Sequence, residues 1–191
     1  MTTESEPEAL DTGATELTHW LVSLVLNRQN GELAQLRRTA VTNTRIRAGW
    51  YAPSQDEREV YEYVAFLFAL YHRGVGRPTR GRGSLGAAVR RIGGPAGRGP
   101  GDPGAARLID RIVSSRRVPE RHLQHAIARL RACEQQPPSW TGLVLDLTRW
   151  DDRKARIAYR WAVEFHEPHD AGGKSAKKAD GKTTSQKGSS T

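Results

Sequence analysis

The chain has 191 residues, a length that allows one domain rather than two independently folded units, and 37% of them are hydrophobic. Its formal net charge is +9, and 24 of its 30 basic residues are arginine. A single cysteine, Cys133, excludes an internal disulfide and a multi-cysteine metal site, as is typical of proteins from a reducing cytoplasm.

This charge predicts a polyanionic partner, and nucleic acid is the polyanion that arginine suits best. Residues 17–168 carry 25 Lys and Arg against 14 Asp and Glu. The planar guanidinium offers a fork of donors to phosphate oxygens, whereas the lysine ammonium is a hydrated point charge. The alternative is a solvated arginine surface without a partner. Because the N-terminus has no signal pattern and the longest apolar run, residues 21–26, cannot span a bilayer, we expect a cytoplasmic protein.

Both ends of the chain are predicted to be disordered. Residues 1–14 are acidic, and residues 168–191 consist largely of Gly, Ser, Thr and Lys, so neither segment can bury enough apolar surface to order itself. Residues 15–167 show helical periodicity, without the alternation of β-branched residues that indicates a strand. We therefore predict an all-α protein, with one helical-bundle domain of about seven to nine helices.

Apolar residues at three- and four-residue steps predict three helices in the first half of the chain. The first begins after Thr15, which serves as its N-cap. The second covers residues 32–39. The third begins at a capping box formed by Ser54 and Glu57 and ends near His72.

Glycine and arginine dominate the middle of the chain, and helices follow one another after it. Residues 74–83 are a basic loop, after which Ser84 caps a short helix, and residues 93–104 (GGPAGRGPGDPG) are predicted to form a flexible loop. Asp102 and Pro103 begin the next helix as its N-cap and first residue. The remaining predicted helices are 119–134, 140–150 after the N-cap Ser139, and one from Asp151 or Asp152 to about Phe165.

Five landmarks follow one another along residues 17–165. They are Trp20 in the first helix, GELAQLRR (31–38), VAFLFALYH (64–72), GSLGAAVRRI (83–92) and LDLTRWDD (145–152). Their order and spacing resemble the CasB family, the small subunit of the type I-E CRISPR Cascade complex. The resemblance implies a non-catalytic helical subunit that pairs with a second copy beside the backbone and large subunits and the crRNA. It also implies stabilisation of the R-loop by sequence-independent contacts to the target and displaced DNA strands.

Eleven arginines are candidates for phosphate contacts, because following a nucleic-acid backbone requires several guanidinium groups on one surface. They are Arg37, Arg38, Arg77, Arg80, Arg82, Arg90, Arg107, Arg117, Arg121, Arg153 and Arg156. The three in the loop 74–83 are expected to be flexible and to become ordered on binding. Arg37 and Arg38 have an alternative role in capping a helix C-terminus. Arg129 and Arg131 are expected to form surface ion pairs instead.

The tryptophans are predicted to divide between the core and the surface. Four have helical spacing and apolar neighbours, which predicts burial, and these are Trp20, Trp140, Trp150 and Trp161. Trp50 follows a glycine and precedes Tyr51 near the basic second helix. For Trp50 two interpretations stay open, simple packing and stacking on a base or partner.

No motif for catalysis or for a cofactor is recognisable. His122 and His125 lie three residues apart and further His and acidic residues crowd 164–170, but two imidazoles without a third ligand rarely form a zinc site. Nucleophile-elbow, H-E-x-x-H and Walker sequences do not occur. We expect no enzymatic activity, no metal and no cofactor. The alternative to a Cascade subunit is a free-standing protein that binds DNA or RNA without sequence preference.

Overall fold

The computed structural model describes residues 6–94 and 97–167, and these residues form nine α-helices. In chain order the helices are α1 Glu6–Leu26, α2 Asn30–Leu36, α3 Asn43–Gly49, α4 Arg58–Tyr71, α5 Leu85–Val89, α6 Pro103–Val113, α7 Glu120–Ala132, α8 Trp140–Thr148 and α9 Ile157–His166. The prediction of an all-α bundle of seven to nine helices is confirmed.

Helix α4 lies at the centre of the bundle and packs against α1, α2, α3, α7 and α8. Eight of its 14 residues are buried, and Val64, Leu67 and Phe68 are fully inaccessible to solvent. A helix that is apolar around most of its circumference must be covered from several sides. The run VAFLFALY at 64–71 therefore determines where the core of the domain lies.

Helix α9 is fixed to two neighbouring helices by contacts of different kinds. It approaches α5 closely because Gly86 has no side chain, and a Cβ there would lie 2.1 Å from the carbonyl oxygen of Trp161. It is joined to α8 through the buried carboxylate of Asp146, which accepts hydrogen bonds from the Trp161 indole at 2.7 Å and from the Arg160 guanidinium. These contacts hold the second half of the chain together.

The first helix begins earlier in the chain than the sequence pattern predicts. Helix α1 starts at Glu6 rather than after Thr15, and Leu10 and Ala14 are buried. These two residues extend the apolar stripe of Leu17 by steps of four and three, and the Tyr61 hydroxyl donates a hydrogen bond to the Leu10 carbonyl at 3.2 Å. The expected disorder of residues 1–14 is thus wrong from residue 6 onward.

Two other predicted helix boundaries are corrected by the structure. Helix α3 has no counterpart in the prediction. Helix α4 begins at Arg58 rather than at the predicted capping box of Ser54 and Glu57. The Ser54 hydroxyl does donate to Glu57 Oε2 at 3.0 Å, but this contact lies in the turn before the helix. Helix α9 begins at Ile157 rather than at residue 151 or 152, because Asp152 Oδ1 accepts from the backbone N–H of Lys154 and closes a separate turn.

The described parts of the segment 93–104, residues 93–94 and 97–104, are more regular than the predicted flexible loop. Strands β1 Gly93–Gly94 and β2 Gly97–Arg98 form a two-residue antiparallel ladder, and a 3-10 turn covers Gly99–Gly101. The predicted start of α6 is confirmed, since Asp102 Oδ1 accepts from the Ala105 N–H at 2.7 Å. The disorder expected for residues 1–5 and 168–191 concerns residues that lie outside those that the structure describes.

The N-caps predicted for two further helices are confirmed. The Ser84 hydroxyl accepts from the Ala87 N–H and the Ser139 hydroxyl from the Gly142 N–H, both at 3.2 Å. An oxygen at this position satisfies one of the four N–H groups that a helix start leaves without an intrahelical partner. These two caps fix the beginnings of α5 and α8, which flank the basic loop.

We predict that Gly86→Ala destabilises the domain by about 3 kcal/mol, because the new methyl group overlaps the backbone of α9. Gly31→Ala is the matched control, since the residue is in α2 and nothing lies within 4 Å of the position that a Cβ would take there. That substitution should raise the free energy of unfolding by up to about 1 kcal/mol. Urea denaturation of both variants measures the difference, and equal stabilities would contradict the close approach of α5 and α9.

Candidate nucleic-acid interface

The basic loop that joins α4 to α5 is hydrogen-bonded to the segment before α8. The Trp140 indole N–H donates to the Thr79 carbonyl at 2.8 Å, and the Trp140 backbone N–H donates to the Arg80 carbonyl at 3.3 Å. The Arg82 N–H donates to the Pro137 carbonyl at 3.2 Å. The predicted flexibility of Arg77, Arg80 and Arg82 is therefore wrong for the backbone, which is held against a buried tryptophan.

Gly81 lies at the tightest point of this contact. Its φ is +72°, and a Cβ would lie 1.9 Å from the carbonyl oxygen of Pro138. Only glycine adopts this conformation without strain and leaves room for the neighbouring backbone. The glycines that indicated flexibility in the sequence thus include one that permits close packing.

His72 anchors the same loop from α4. Its Nδ1–H donates to the Phe68 carbonyl at 2.9 Å, and Nε2 accepts from the Thr79 N–H at 2.9 Å. Both ring nitrogens are used as in the neutral tautomer, and the side chain is buried. Burial lowers the pKa of His72 to about 4, against the opposing effect of the hydrogen bond to Phe68.

The anchored loop presents its arginine side chains to solvent. Arg77, Arg80 and Arg82 are exposed, and Arg82 lies near Arg91. The pKa of Arg91 is lowered by burial and by the charge of Arg82. Arg131 acts on Tyr71 from α7, where its charge opposes the rise that burial causes in the tyrosine pKa. We call the four arginines Arg77, Arg80, Arg82 and Arg131 the loop surface, and Arg91 lies partly buried beside them with its guanidinium bound to backbone carbonyls.

Two arginines at this site were not predicted from the sequence: Arg131 in the loop surface, and Arg91 beside it with a structural role. Arg91 lies next to the predicted Arg90, and it donates hydrogen bonds to the carbonyls of Gln136 at 2.9 Å and Ala87 at 3.0 Å. Arg131 was expected in an ion pair, but it has no carboxylate within 4.0 Å among the described residues. Its position after the buried Leu130 did not indicate that it approaches α4.

Two predicted candidates use their guanidinium groups inside the fold. Arg37 donates to the Ala69 carbonyl of α4 at 3.3 Å, and its pKa is lowered by burial and by Arg73. Arg90 donates to the carbonyls of Phe165 and His166 at the end of α9. Such contacts satisfy carbonyls that have no intrahelical partner, so we assign both arginines a structural role.

Arg38 and Arg121 lie on another part of the surface, and each is near Arg45. Both are exposed. Arg45 donates to the Arg38 carbonyl at 3.5 Å and pairs with Glu62 at 3.4 Å, while Arg121 and Arg45 line a groove of about 260 Å³ with Tyr63. The neighbouring carboxylate reduces the local positive charge, so this groove is a weaker anion site than the loop surface.

Arg107 and Arg117 are exposed but are not brought together with the loop surface by any contact. Arg107 lines a small cleft of about 220 Å³ with Arg111 and Arg129. Arg129 pairs with Asp102 at 3.3 Å, so its predicted ion pair is confirmed. Arg117 follows α6, and its side chain is exposed.

Arg153 and Arg156 lie in a cleft of about 610 Å³ at the start of α9. The cleft also contains a third guanidinium, that of Arg116, and the exposed ring of Tyr159. The Arg156 Cζ lies 4.2 Å from the centre of the Tyr159 ring. Arg116 and Tyr159 were not predicted as part of a site. Arg116 follows α6, whereas Tyr159 lies in α9, 43 residues later in the chain. Asp151 and Asp152 line the same cleft.

The predicted division of the tryptophans is confirmed. Trp20, Trp140, Trp150 and Trp161 are each exposed by 9% or less. Trp50 is 67% exposed at the end of α3, where it lines a cleft of about 360 Å³. A contact of Trp50 with a base or with a protein partner stays a prediction.

Within residues 6–94 and 97–167, no three His, Cys, Asp or Glu side chains are grouped as a metal ion would require. His122 and His125 share α7, as predicted, without a third ligand among these residues. None of the described helices is both long and apolar enough to cross a membrane.

The helical architecture matches that of a known class of CRISPR-associated protein. The crystal structure of CasB from Thermobifida fusca has a TM-score of 0.62 to this chain at 18% sequence identity, and the match covers 83% of this chain and 98% of that one. At this identity the match establishes the fold. No curated protein sequence matches the chain.

The family model of CRISPR-associated protein Cse2 matches residues 32–166. The chain therefore belongs to the Cse2, or CasB, family of structural subunits of the CRISPR Cascade complex. The resemblance drawn from the order of the sequence landmarks is confirmed. Helix α1, with Trp20, lies before the matched segment, whereas the loop surface, the groove lined by Arg45 and Arg121 and the cleft at the start of α9 lie within it.

We predict that the domain loses stability as the pH falls from 6.5 towards 4, partly because of His72. In this range the unfolded chain binds a proton at His72 with a pKa near 6.5, whereas the folded chain does not, so folding is opposed by acid. Once the pH has fallen below the pKa of the folded state, the free energy of unfolding is lower by about 3 kcal/mol. Urea denaturation at several pH values should give a shallower pH dependence for His72→Gln.

The control for this experiment is His125→Gln, which changes an exposed histidine on α7. Its free energy of unfolding should vary with pH as that of the wild type does. If His72→Gln also retained the wild-type slope, the neutral buried state of His72 would be refuted, whatever the absolute stability of the variant.

Proposed function

We propose that this chain is a non-catalytic Cascade subunit that binds DNA without reading its sequence and stabilises the R-loop by contacts to the target and displaced strands. One observation carries the proposal. Only three of the 24 arginines, Arg45, Arg129 and Arg160, form an ion pair with a described carboxylate within 4.0 Å. Most guanidinium groups are thus not neutralised by the described part of the chain, as binding to phosphates requires.

The loop surface is the strongest candidate for the DNA contact. Its three loop arginines are exposed, and the backbone that carries them is fixed by hydrogen bonds. Because the backbone is already ordered, binding costs only the rotamer entropy of the arginine side chains, so each phosphate contact contributes more to affinity than it would from a mobile loop. Contacts to phosphates carry no sequence information directly, which supports sequence-independent binding.

The partners within the complex are also part of the proposal. Membership of the Cse2 family supports assembly with the crRNA, with the backbone and large subunits and with a second copy of the chain, in the cytoplasm. The absence of a recognisable catalytic motif in the sequence supports a structural role. A free-standing DNA- or RNA-binding protein is the alternative, and it would have the same exposed arginines.

Reconstitution separates these two possibilities. Cascade assembled without this chain should bind and open target DNA less tightly than the complete complex, and adding the purified chain back should restore the affinity. Gel-shift titration measures binding, and permanganate reactivity of the displaced strand measures opening. Equal binding and opening by the two complexes would refute the proposed role in the R-loop.

The assignment of individual arginines is tested by charge reversal. Arg82→Glu and Arg117→Glu should each weaken DNA binding at least about tenfold, equally for different sequences, because one phosphate contact is lost. The slope of log affinity against log salt concentration should become shallower by roughly 1. Arg58→Glu, the same change at an exposed site at the start of α4, is the control and should leave the slope unchanged.

An unchanged salt slope for Arg82→Glu or Arg117→Glu would remove that residue from the interface. Because both side chains are exposed, the stability of each variant should match that of the wild type. Urea denaturation checks that a loss of affinity does not result from unfolding.

A further inference from the structure

The cleft at the start of α9 is lined by both apolar and charged side chains. Ile157, Ala158 and the edge of the buried Trp150 contribute apolar surface, and Trp150 is in turn packed against Trp161, with their ring centres 5.1 Å apart. The packing of Trp150 against Trp161 supports this apolar part of the lining. A volume of about 610 Å³ lies in the range typical of small-ligand sites and is large enough for one nucleotide.

Tyr159 is the exposed aromatic side chain of this cleft. It retains 59% of its accessible surface although the Arg156 guanidinium lies over the ring, 4.2 Å from the ring centre. An aromatic ring of this exposure can accept the face of a second planar group. The cation–π contact with Arg156 favours this position of the ring and leaves its other surface exposed.

Arg156 itself adopts a backbone conformation that arginine rarely takes. Its φ is 48° and its ψ is 38°, in the left-handed region, at the residue before α9. This conformation costs about 1 kcal/mol or more for a residue with a Cβ, and residues of this kind cluster at binding sites. The conformation places the guanidinium over Tyr159 at the cleft rather than along the helix.

The mixture of positive and negative side chains distinguishes this cleft from the loop surface. The cleft is lined by Arg116, Arg153 and Arg156 together with Asp151 and Asp152, so the lining residues carry a net charge of only +1. Asp152 also accepts from the Lys154 N–H at 2.8 Å, which fixes one carboxylate in place. Two carboxylates oppose a dense row of phosphates, such as a duplex presents, but they can accept hydrogen bonds from the N–H groups of an unpaired base, including the N3–H of thymine.

We propose that this cleft binds one unpaired nucleotide of single-stranded DNA, with the base stacked on Tyr159 and its phosphate held by Arg116 or Arg153. A paired base in a duplex is stacked within the helix and cannot enter. The cleft therefore confers a preference for single-stranded over double-stranded DNA, which a surface of phosphate contacts alone does not provide. The inference rests on the proposed DNA binding and specifies that the cleft at the start of α9 is a site for single-stranded DNA.

The experiment compares Tyr159→Ala with Tyr159→Phe on an oligothymidylate, on the same strand with abasic sites throughout and on a duplex. Tyr159→Ala should weaken binding of the oligothymidylate by about 5- to 150-fold, the value of one base–aromatic stack. Tyr159→Phe should bind within about twofold of the wild type, because the ring is kept. Neither change should alter the affinity for the abasic strand or the duplex.

A second readout reports stacking directly. A strand containing a single 2-aminopurine should lose fluorescence on binding to the wild type and to Tyr159→Phe, but not to Tyr159→Ala. Equal loss of affinity for the intact and abasic strands, or unchanged affinity of Tyr159→Ala for the oligothymidylate, would overturn the inference. If the wild-type chain bound none of the three DNAs, the proposed DNA binding would itself be wrong.

Discussion

The hydrogen bond from the Trp140 indole to the Thr79 carbonyl joins three parts of the molecule that are distant in sequence. It connects the start of α8 to a loop that is held from the other side by His72 of the central helix α4. Trp140 also packs edge-on against Phe68, with ring centres 5.3 Å apart, so the same side chain belongs to the core. The position of the loop arginines relative to the bundle depends on this contact, because no helix carries them.

Local patterns predicted those parts of the fold that depend on neighbouring residues. The caps at Ser84, Ser139 and Asp102 were identified because a side-chain oxygen accepts from an N–H three residues later. The start of α1 was missed since acidic residues suggested disorder, and its order depends on Tyr61, 51 residues away from its acceptor Leu10. The periodicity of α1 includes Leu10 and Ala14, so the spacing of apolar residues predicts the start of this helix better than the charge does.

The candidate site was harder to predict, since the sequence shows where an arginine is but not which carbonyl accepts from it. Arg37 and Arg90 donate to carbonyls 32 and 75 residues away, which no local pattern encodes. Adjacent arginines also point about 100° apart on a helix, so Arg90 and Arg91 reach different neighbours. Burial of the tryptophans was predicted well, because burial follows the apolar stripe of each helix and needs no knowledge of its partner.

The position of α1 has a consequence for the synthesis of the protein. Helix α1 packs on α8, and the hydroxyls of Thr18 and Thr141 lie 3.0 Å apart although 123 residues separate them. On the ribosome, the first helix therefore emerges long before this partner, and its apolar stripe stays partly uncovered while the middle of the chain is translated. The bundle closes only after α8 has left the exit tunnel, so folding is completed late in translation.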